Sequence, residues 1–205
     1  MDEAIGRAKR VLLSGGLVAY PTESFYGLAA DATNEQAIQR LFTAKERKPD
    51  RPVLILIPTV ESLSQYVPQI PPVAYRLMEA FWPGGLTLVF EARPEISPLL
   101  TAGTGKIGIR LSSHPVATGL AQSIGKPITG TSANISGRPA CRTATEVLHS
   151  FQQRVDLIVD GGKTPGKIGS TVLDVTVDPP KLIRGGLVGK TVIAKIVTLS
   201  PMSDG

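Results

Sequence analysis

The chain has 205 residues, 42% hydrophobic and 19% charged, a globular composition that excludes a largely disordered protein and suits one self-sufficient domain. Aromatic residues make up only 5%, against a base-stacking platform, while a formal net charge of +5 suits anionic partners such as nucleotides or RNA. One cysteine, Cys141, and two histidines, His114 and His149, exclude an intramolecular disulfide framework and a structural zinc site.

Residues 3–13 predict a helix with Ala4, Ala8, Val11 and Leu12 on one face, stopped by Gly15-Gly16. The apolar stretch Val11 to Tyr20 is broken by Ser14-Gly15-Gly16, so neither a signal peptide nor a spanning helix is predicted, and the expected location is the cytoplasm. Leu17 to Tyr20 reads as a strand ended by Pro21. Asn34 is placed to cap a helix whose stripe is Ala37, Ile38, Leu41 and Phe42, running to about Lys45. Val53 to Ile57, nearly all β-branched or Leu, predicts a central strand buried on both faces.

Short helices are predicted near 59–66 and 72–81, then a turn at Trp82-Pro83-Gly84-Gly85. Leu86 to Phe90, Ile107 to Leu111, Ile128 to Thr131 and Leu157 to Asp160 read as strands, with helices at 115–124 and 143–150. Thr171 to Val177 and Lys181 to Arg184 read as two more strands, joined through Asp178-Pro179-Pro180. The interleaving, with no repeat and no Ser- or Gly-rich linker, predicts an α/β domain with a mixed sheet. One sequence does not give the pairing order.

Two glycine motifs are near-misses. Gly103 to Gly108 matches the dinucleotide fingerprint by letter, but it runs into a strand instead of opening a helix, and reads as a Gly-rich turn. Gly161 to Ile168 has the spacing and lysine of a phosphate loop, but Ile168 stands where Ser or Thr is needed and no helix follows. It reads as a mobile loop over a ligand. No Ser-His-Asp or Cys-His pairing stands out. His114 and Cys141 read as structural residues.

Three polar clusters fall at strand ends or loops: Tyr20 to Leu28, Lys45 to Pro52, and Thr131 to Gly137. Lys45 and Arg47 can grip one polyanion, the first as a point charge and the second as a planar fork. Taken alone they read first as a solvated basic loop. Ser132 and Asn134 alternate at a strand end and can face one phosphate or carbonyl, or serve only as turn residues.

In order along the chain stand Tyr-Pro-Thr-Glu-(x)2-Tyr-Gly-Leu at 20–28, Lys-x-Arg at 45–47, Trp-Pro-Gly at 82–84 and Arg-(x)3-His-Pro at 110–115. Ser-x-Asn-x-Ser-Gly at 132–137, Gly-Ser-Thr-Val at 169–172 and Ile-Arg-x-Gly at 183–186 follow. From Ile5 to Val188 the chain resembles the YrdC/TsaC family, the threonylcarbamoyl-AMP synthases. The stretch at 139–143 is similar to the short bacterial form, and Arg51 departs from the family pattern.

The resemblance implies a twisted mixed sheet of about seven strands, flanked by helices, with a large concave basic cleft. It implies one domain over 1–205, with a core at 5–188, a short tail at 189–205 and no second C-terminal domain. It implies that L-threonine, bicarbonate and ATP give threonylcarbamoyl-AMP and pyrophosphate, which other enzymes use to modify tRNA. Carried over by motif, Lys45, Arg47, Ser132, Asn134, Arg142 and Arg184 hold ATP, with Lys45 and Arg47 the catalytic pair and Lys106 a further nucleotide contact. Thr22, Arg51, Arg110, Thr131 and Ser170 hold threonine. Magnesium is expected on the phosphates, with no protein ligand. The competing expectation is a tRNA- or double-stranded-RNA-binding member without synthase activity. No membrane partner is expected.

Overall fold

A computed structural model describes residues 2–201. Helix α1 (Asp2–Leu13) leads into β1 (Val18–Tyr20), β2 (Gly27–Ala29) and α2 (Glu35–Lys45). There follow β3 (Ile55–Leu56), a 3-10 turn at Glu61–Gln65, α3 (Pro72–Phe81), β4 (Leu86–Glu91), α4 (Pro98–Thr101) and β5 (Lys106–Arg110). Next come α5 (Pro115–Ile124), β6 (Ile128–Thr129), β7 (Thr131–Ser132), α6 (Ala144–Phe151), a 3-10 turn at Gln152–Arg154 and β8 (Leu157–Ile158). β9 (Thr171–Asp174), β10 (Lys181–Arg184) and α7 (Lys190–Ile193) close the described chain. No helix among the described residues is long and apolar enough to cross a membrane.

The α/β class holds, but the expected single sheet of about seven strands does not. The strands form a four-stranded sheet, β7-β2-β1-β8, and a six-stranded sheet, β10-β9-β4-β5-β3-β6, each mixing parallel and antiparallel pairs. Two features of the sequence hide this. Gly27-Leu-Ala lacks β-branched residues, so β2 leaves no local signal. The predicted strand at 128–131 is in fact two strands, because β6 belongs to the larger sheet and β7 to the smaller.

Gly130 makes that split possible. Its N–H donates to the Leu54 carbonyl at 2.7 Å. A Cβ there would stand 2.2 Å from Leu54 Cδ1, so any other residue would push the Leu54 side chain aside. Thr129, fully buried, stitches the sheets together beside it. Its hydroxyl accepts from Ala30 N–H at 2.9 Å and donates to the Leu28 carbonyl at 3.0 Å. Tyr20 adds a hydroxyl bond to the Thr129 carbonyl at 3.2 Å.

Asn34 caps α2 as expected, accepting from Gln36 and Ala37 N–H. Ala37, Ile38, Leu41 and Phe42 enter the main core, with Phe90, Ile109 and Leu173 from the larger sheet. A second core lies between α1 and α5, where Ala8 and Leu12 meet Val116, Ala117 and Leu120. The predicted strand at 53–57 narrows to β3, with Leu54 only half-buried. The expected tail is not an appendage: α7 seats Ile193 in the main core, and Val197 follows it. Residues 202–205 of that tail lie outside the described residues.

Thr129→Val keeps the shape but leaves the Ala30 N–H without its partner, and should cost about 1–3 kcal/mol of stability. Thr129→Ser keeps the hydroxyl and should retain most of it. Urea unfolding of the two variants beside the native chain checks the order.

Candidate active site

β1 stops at Pro21, and the chain turns back through a hydroxyl-built turn. Thr22 Oγ1 donates to the Phe25 carbonyl at 2.6 Å and accepts from Ser24 N–H at 3.1 Å. Thr22 and Ser24 thereby line a cavity of about 370 Å³, a size usual for small-molecule sites. The rest of its wall comes from residues 52–54, the end of β5 at Arg110, residues 130–132, residues 168–170, and the end of β10 at Arg184. The cavity therefore lies where the two sheets part.

The charged side chains lining it are Arg47, Arg110 and Arg184. Arg47 is aimed by its own loop: Nε donates to the Arg51 carbonyl at 3.2 Å and Nη2 to the Pro52 carbonyl at 2.8 Å. Burial first, then the neighbouring Arg51, pushes the Arg47 pKa down. Arg184 spans Ser170, reaching its carbonyl at 2.9 Å and its hydroxyl at 3.1 Å. Burial, then Arg110, lowers its pKa too. Guanidiniums stay protonated regardless. The shifts therefore mean chiefly that these cations are held partly out of water and secondarily that they lie near one another.

Ser170 accepts from Thr87 at 2.9 Å as well as from Arg184, which leaves its own proton to donate. Arg110, almost fully buried, donates from Nη1 to Glu23 Oε1 at 2.8 Å, while its Nε is buried with no partner.

Seven of the residues assigned to the site meet at this cavity: Thr22, Arg47, Arg110, Thr131, Ser132, Ser170 and Arg184. Five do not line it. Lys45 is buried, its ammonium donating to the carbonyls of Ser132 and of Asn134, the latter at 2.8 Å. Asn134 spends its amide inside its own loop, donating to the carbonyls of Ile135 at 3.0 Å and Arg138 at 2.6 Å, while Oδ1 accepts from Ser132 at 2.6 Å. Ser132 and Asn134 share a side, as their alternation suggests, but they face each other. Arg51 is exposed and offers only its carbonyl to Arg47. Lys106 sits at the other end of β5, bound to Asp174 at 3.2 Å and to Thr176.

Arg142 has a different task. Its carbonyl accepts from Thr164 N–H at 2.9 Å, and its Nη2 donates to the Pro165 carbonyl at 3.2 Å. Gly166 N–H donates to the Ser24 carbonyl at 2.6 Å. Gly166 has φ +61°, and a Cβ on it would stand 2.1 Å from Arg142 Nε. The loop expected to be mobile is therefore clasped at several points, and Ile168 at its end lines the cavity. His114 caps α5, accepting from Val116 N–H at 3.3 Å, and burial lowers its pKa. Cys141 is buried beside Ser150, 3.3 Å from its hydroxyl, and burial pushes its thiol up.

Glu23 and Ser24 received no role from the sequence. Their signal was available, since both lie inside the Tyr-Pro-Thr-Glu motif, but nothing local tells which way each side chain turns.

A cavity lined by three arginines, set between two mixed sheets flanked by helices, marks the chain as an α/β protein with a polar pocket. A family model for Sua5, YciO and YrdC proteins, described as telomere recombination, matches residues 10–186, and the chain belongs to that family. The threonylcarbamoyl-AMP synthase of Bacillus subtilis is 39% identical over 197 residues, covering 96% of this chain and 57% of that protein. The crystal structure of Pyrococcus abyssi Sua5 complexed with L-threonine superposes with a TM-score of 0.91 at 38% identity, covering 96% of this chain and 59% of that one. The crystal structure of E. coli YciO gives 0.82 at 28% identity and covers 91% of each chain. The chain thus spans little more than half the length of the first two.

Burial, with the nearby Arg47 charge adding to it, lowers the Lys45 pKa from 10.5 to about 7. Between those values the folded chain holds fewer protons on Lys45 than the unfolded chain, so this group's contribution to stability rises with pH. The native chain should gain stability over Lys45→Met between pH 7 and about pH 9. Urea unfolding of both at the two pH values tests this, and a constant difference would contradict it.

Proposed function

We propose that the protein is a threonylcarbamoyl-AMP synthase, joining L-threonine, bicarbonate and ATP into threonylcarbamoyl-AMP and pyrophosphate. The observation that carries this reading is the meeting of Arg47, Arg110 and Arg184 with the hydroxyls of Thr131, Ser132 and Ser170 on one cavity. The names and ligand of the relatives supply the particular substrates. The reaction asks for no enzyme nucleophile. Threonine's amine and bicarbonate give a carbamate with loss of water. A carbamate oxygen then attacks the α-phosphorus of ATP, the bond to the bridging oxygen breaks, and pyrophosphate leaves.

Both partners are anions, so the protein's task is to hold them in line against their repulsion and to meet the charge that builds on the phosphates. Arg110 takes the threonine carboxylate, while Arg47 and Arg184 take the phosphates, and Ser132, its proton given to Asn134, shapes the wall beside them. Ser170 has a proton to give and Thr131 a free place on the wall, so these two read the threonine side chain. Thr22 has already spent its hydroxyl in the turn, and its role is to shape the wall. Lys45 and Asn134 act through the strand and loop that carry Ser132. Arg142 acts through the loop that ends at Ile168.

Magnesium enters with ATP, on the phosphates. Among the described residues no three His, Cys, Asp or Glu side chains gather to hold a metal ion. The product passes to enzymes that modify tRNA, which places the work in the cytoplasm.

Purified protein given ATP, magnesium, bicarbonate and L-threonine should release pyrophosphate with no RNA added. Strict dependence on RNA would favour the RNA-binding reading instead. Arg47→Ala should lose about 2–4 kcal/mol of transition-state stabilisation, read as kcat/KM for pyrophosphate release. An unchanged rate would return Arg47 to an ordinary surface role.

Serine in place of threonine lacks one methyl, worth about 1–3 kcal/mol. Valine leaves the hydroxyl partners unpaired and should be rejected by about 10⁴-fold or more. Pyrophosphate release at matched concentrations of the three amino acids gives the order. Valine ahead of serine would mean that the pocket reads shape alone.

A further inference from the structure

Glu23 stands between two cavity-lining residues without lining the cavity itself. Its carboxylate is engaged at both oxygens. Oε1 accepts from Arg110 Nη1 at 2.8 Å, and Oε2 accepts from the Ser112 hydroxyl at 2.8 Å. The direction of the second bond is fixed by chemistry. A carboxylate oxygen only accepts, so the Ser112 proton goes to Glu23, while Ser112 Oγ accepts in turn from His114 N–H at 3.2 Å.

The resulting chain runs from the first turn of α5, through Ser112 and Glu23, to a guanidinium at the end of β5. Arg110 is 5% exposed and Ser112 2%, so the bonds between them and Glu23 are shielded from water. Held by Nη1 alone, Arg110 keeps the rest of its fork for a ligand, and its Nε is a buried donor with no protein partner. Arg184 is also within electrostatic reach of Arg110. Among the described residues, the Glu23 carboxylate is the hydrogen-bond partner that holds the Arg110 side chain beside that second cation.

We infer that Glu23, steadied by Ser112, is a positioning residue that orients Arg110 for the α-carboxylate of the amino-acid substrate. The inference rests on the reading of Arg110 as the threonine anchor. Because Glu23 touches Arg110 and not the phosphate-side arginines, its loss should fall on one substrate only. A merely structural residue would affect both substrates alike, or stability alone.

The test compares the native chain, Glu23→Gln and Ser112→Ala in pyrophosphate release and in calorimetric titration with L-threonine and, separately, with ATP. Glu23→Gln should raise the KM and Kd for threonine about tenfold to a hundredfold, with the KM for ATP unmoved and kcat changed far less. Ser112→Ala keeps the ion pair, so it should shift threonine in the same direction by a smaller factor, and it serves if Glu23→Gln fails to fold. Equal losses for threonine and ATP, or none for either, in whichever variant folds would overturn the inference. A native chain that binds threonine but releases no pyrophosphate would overturn the synthase reading, and a threonine-selective loss of binding would still uphold the role of Glu23. A native chain that binds no threonine would overturn both.

Discussion

The close approach of Gly130 to Leu54 is the constraint from which the site follows. One stretch of chain crosses there from the six-stranded sheet to the four-stranded one, and a Cβ at the crossing would have to displace the Leu54 side chain. Thr129 on one side ties the sheets together through its hydroxyl, and Thr131 and Ser132 on the other side are carried out onto the cavity wall. The cavity is thus the place where two sheets, joined at one point, cannot stay joined. Widening the crossing would shift β7 and the hydroxyls it presents.

Concentrating arginines at that opening is costly for the empty protein. Arg47 and Arg184 are both held partly out of water, near other cations, by backbone carbonyls that neutralise no charge. Of the three arginines, Arg110 is the one that forms a salt bridge with a carboxylate among the described residues. The site is therefore built for anions before any arrives, and its geometry need not be assembled at the moment of reaction. The same loops that aim these groups are held from behind. Lys45 anchors the strand carrying Ser132, and Arg142 clasps the loop ending at Ile168. Residues that look like a row of phosphate ligands in the sequence thus divide into those that face the cavity and those that fix its walls.

How much of this was legible follows from which signals are local. The helices with clear stripes and caps, α1, α2, α3 and α5, fall where periodicity, Asn34 and the prolines put them. The strands β4, β5, β9 and β10 were equally readable as short apolar runs, though their pairing was not. β2, β7 and the division into two sheets were not, because strands of two or three residues are defined by partners distant in sequence. At the site, motif order picked out segments that meet at one cavity but not which way each side chain turns. Lys45 and Arg47 lie two residues apart, yet one is sealed inside and the other lines the cavity, since α2 ends between them at Glu46 with φ 51°. Glu23 escaped for the same reason: its partner Arg110 comes from another strand.

Cys141 has a practical consequence. It is the chain's one cysteine and is buried against Ser150, with its thiol pushed toward the protonated, unreactive form. Maleimide reagents will therefore spare the native protein, and a cysteine introduced at exposed Lys167 will be the one position that takes a fluorophore. That site adjoins Ile168 on the cavity rim, so the natural sequence already provides a silent background for watching the loop in solution while ligands are added.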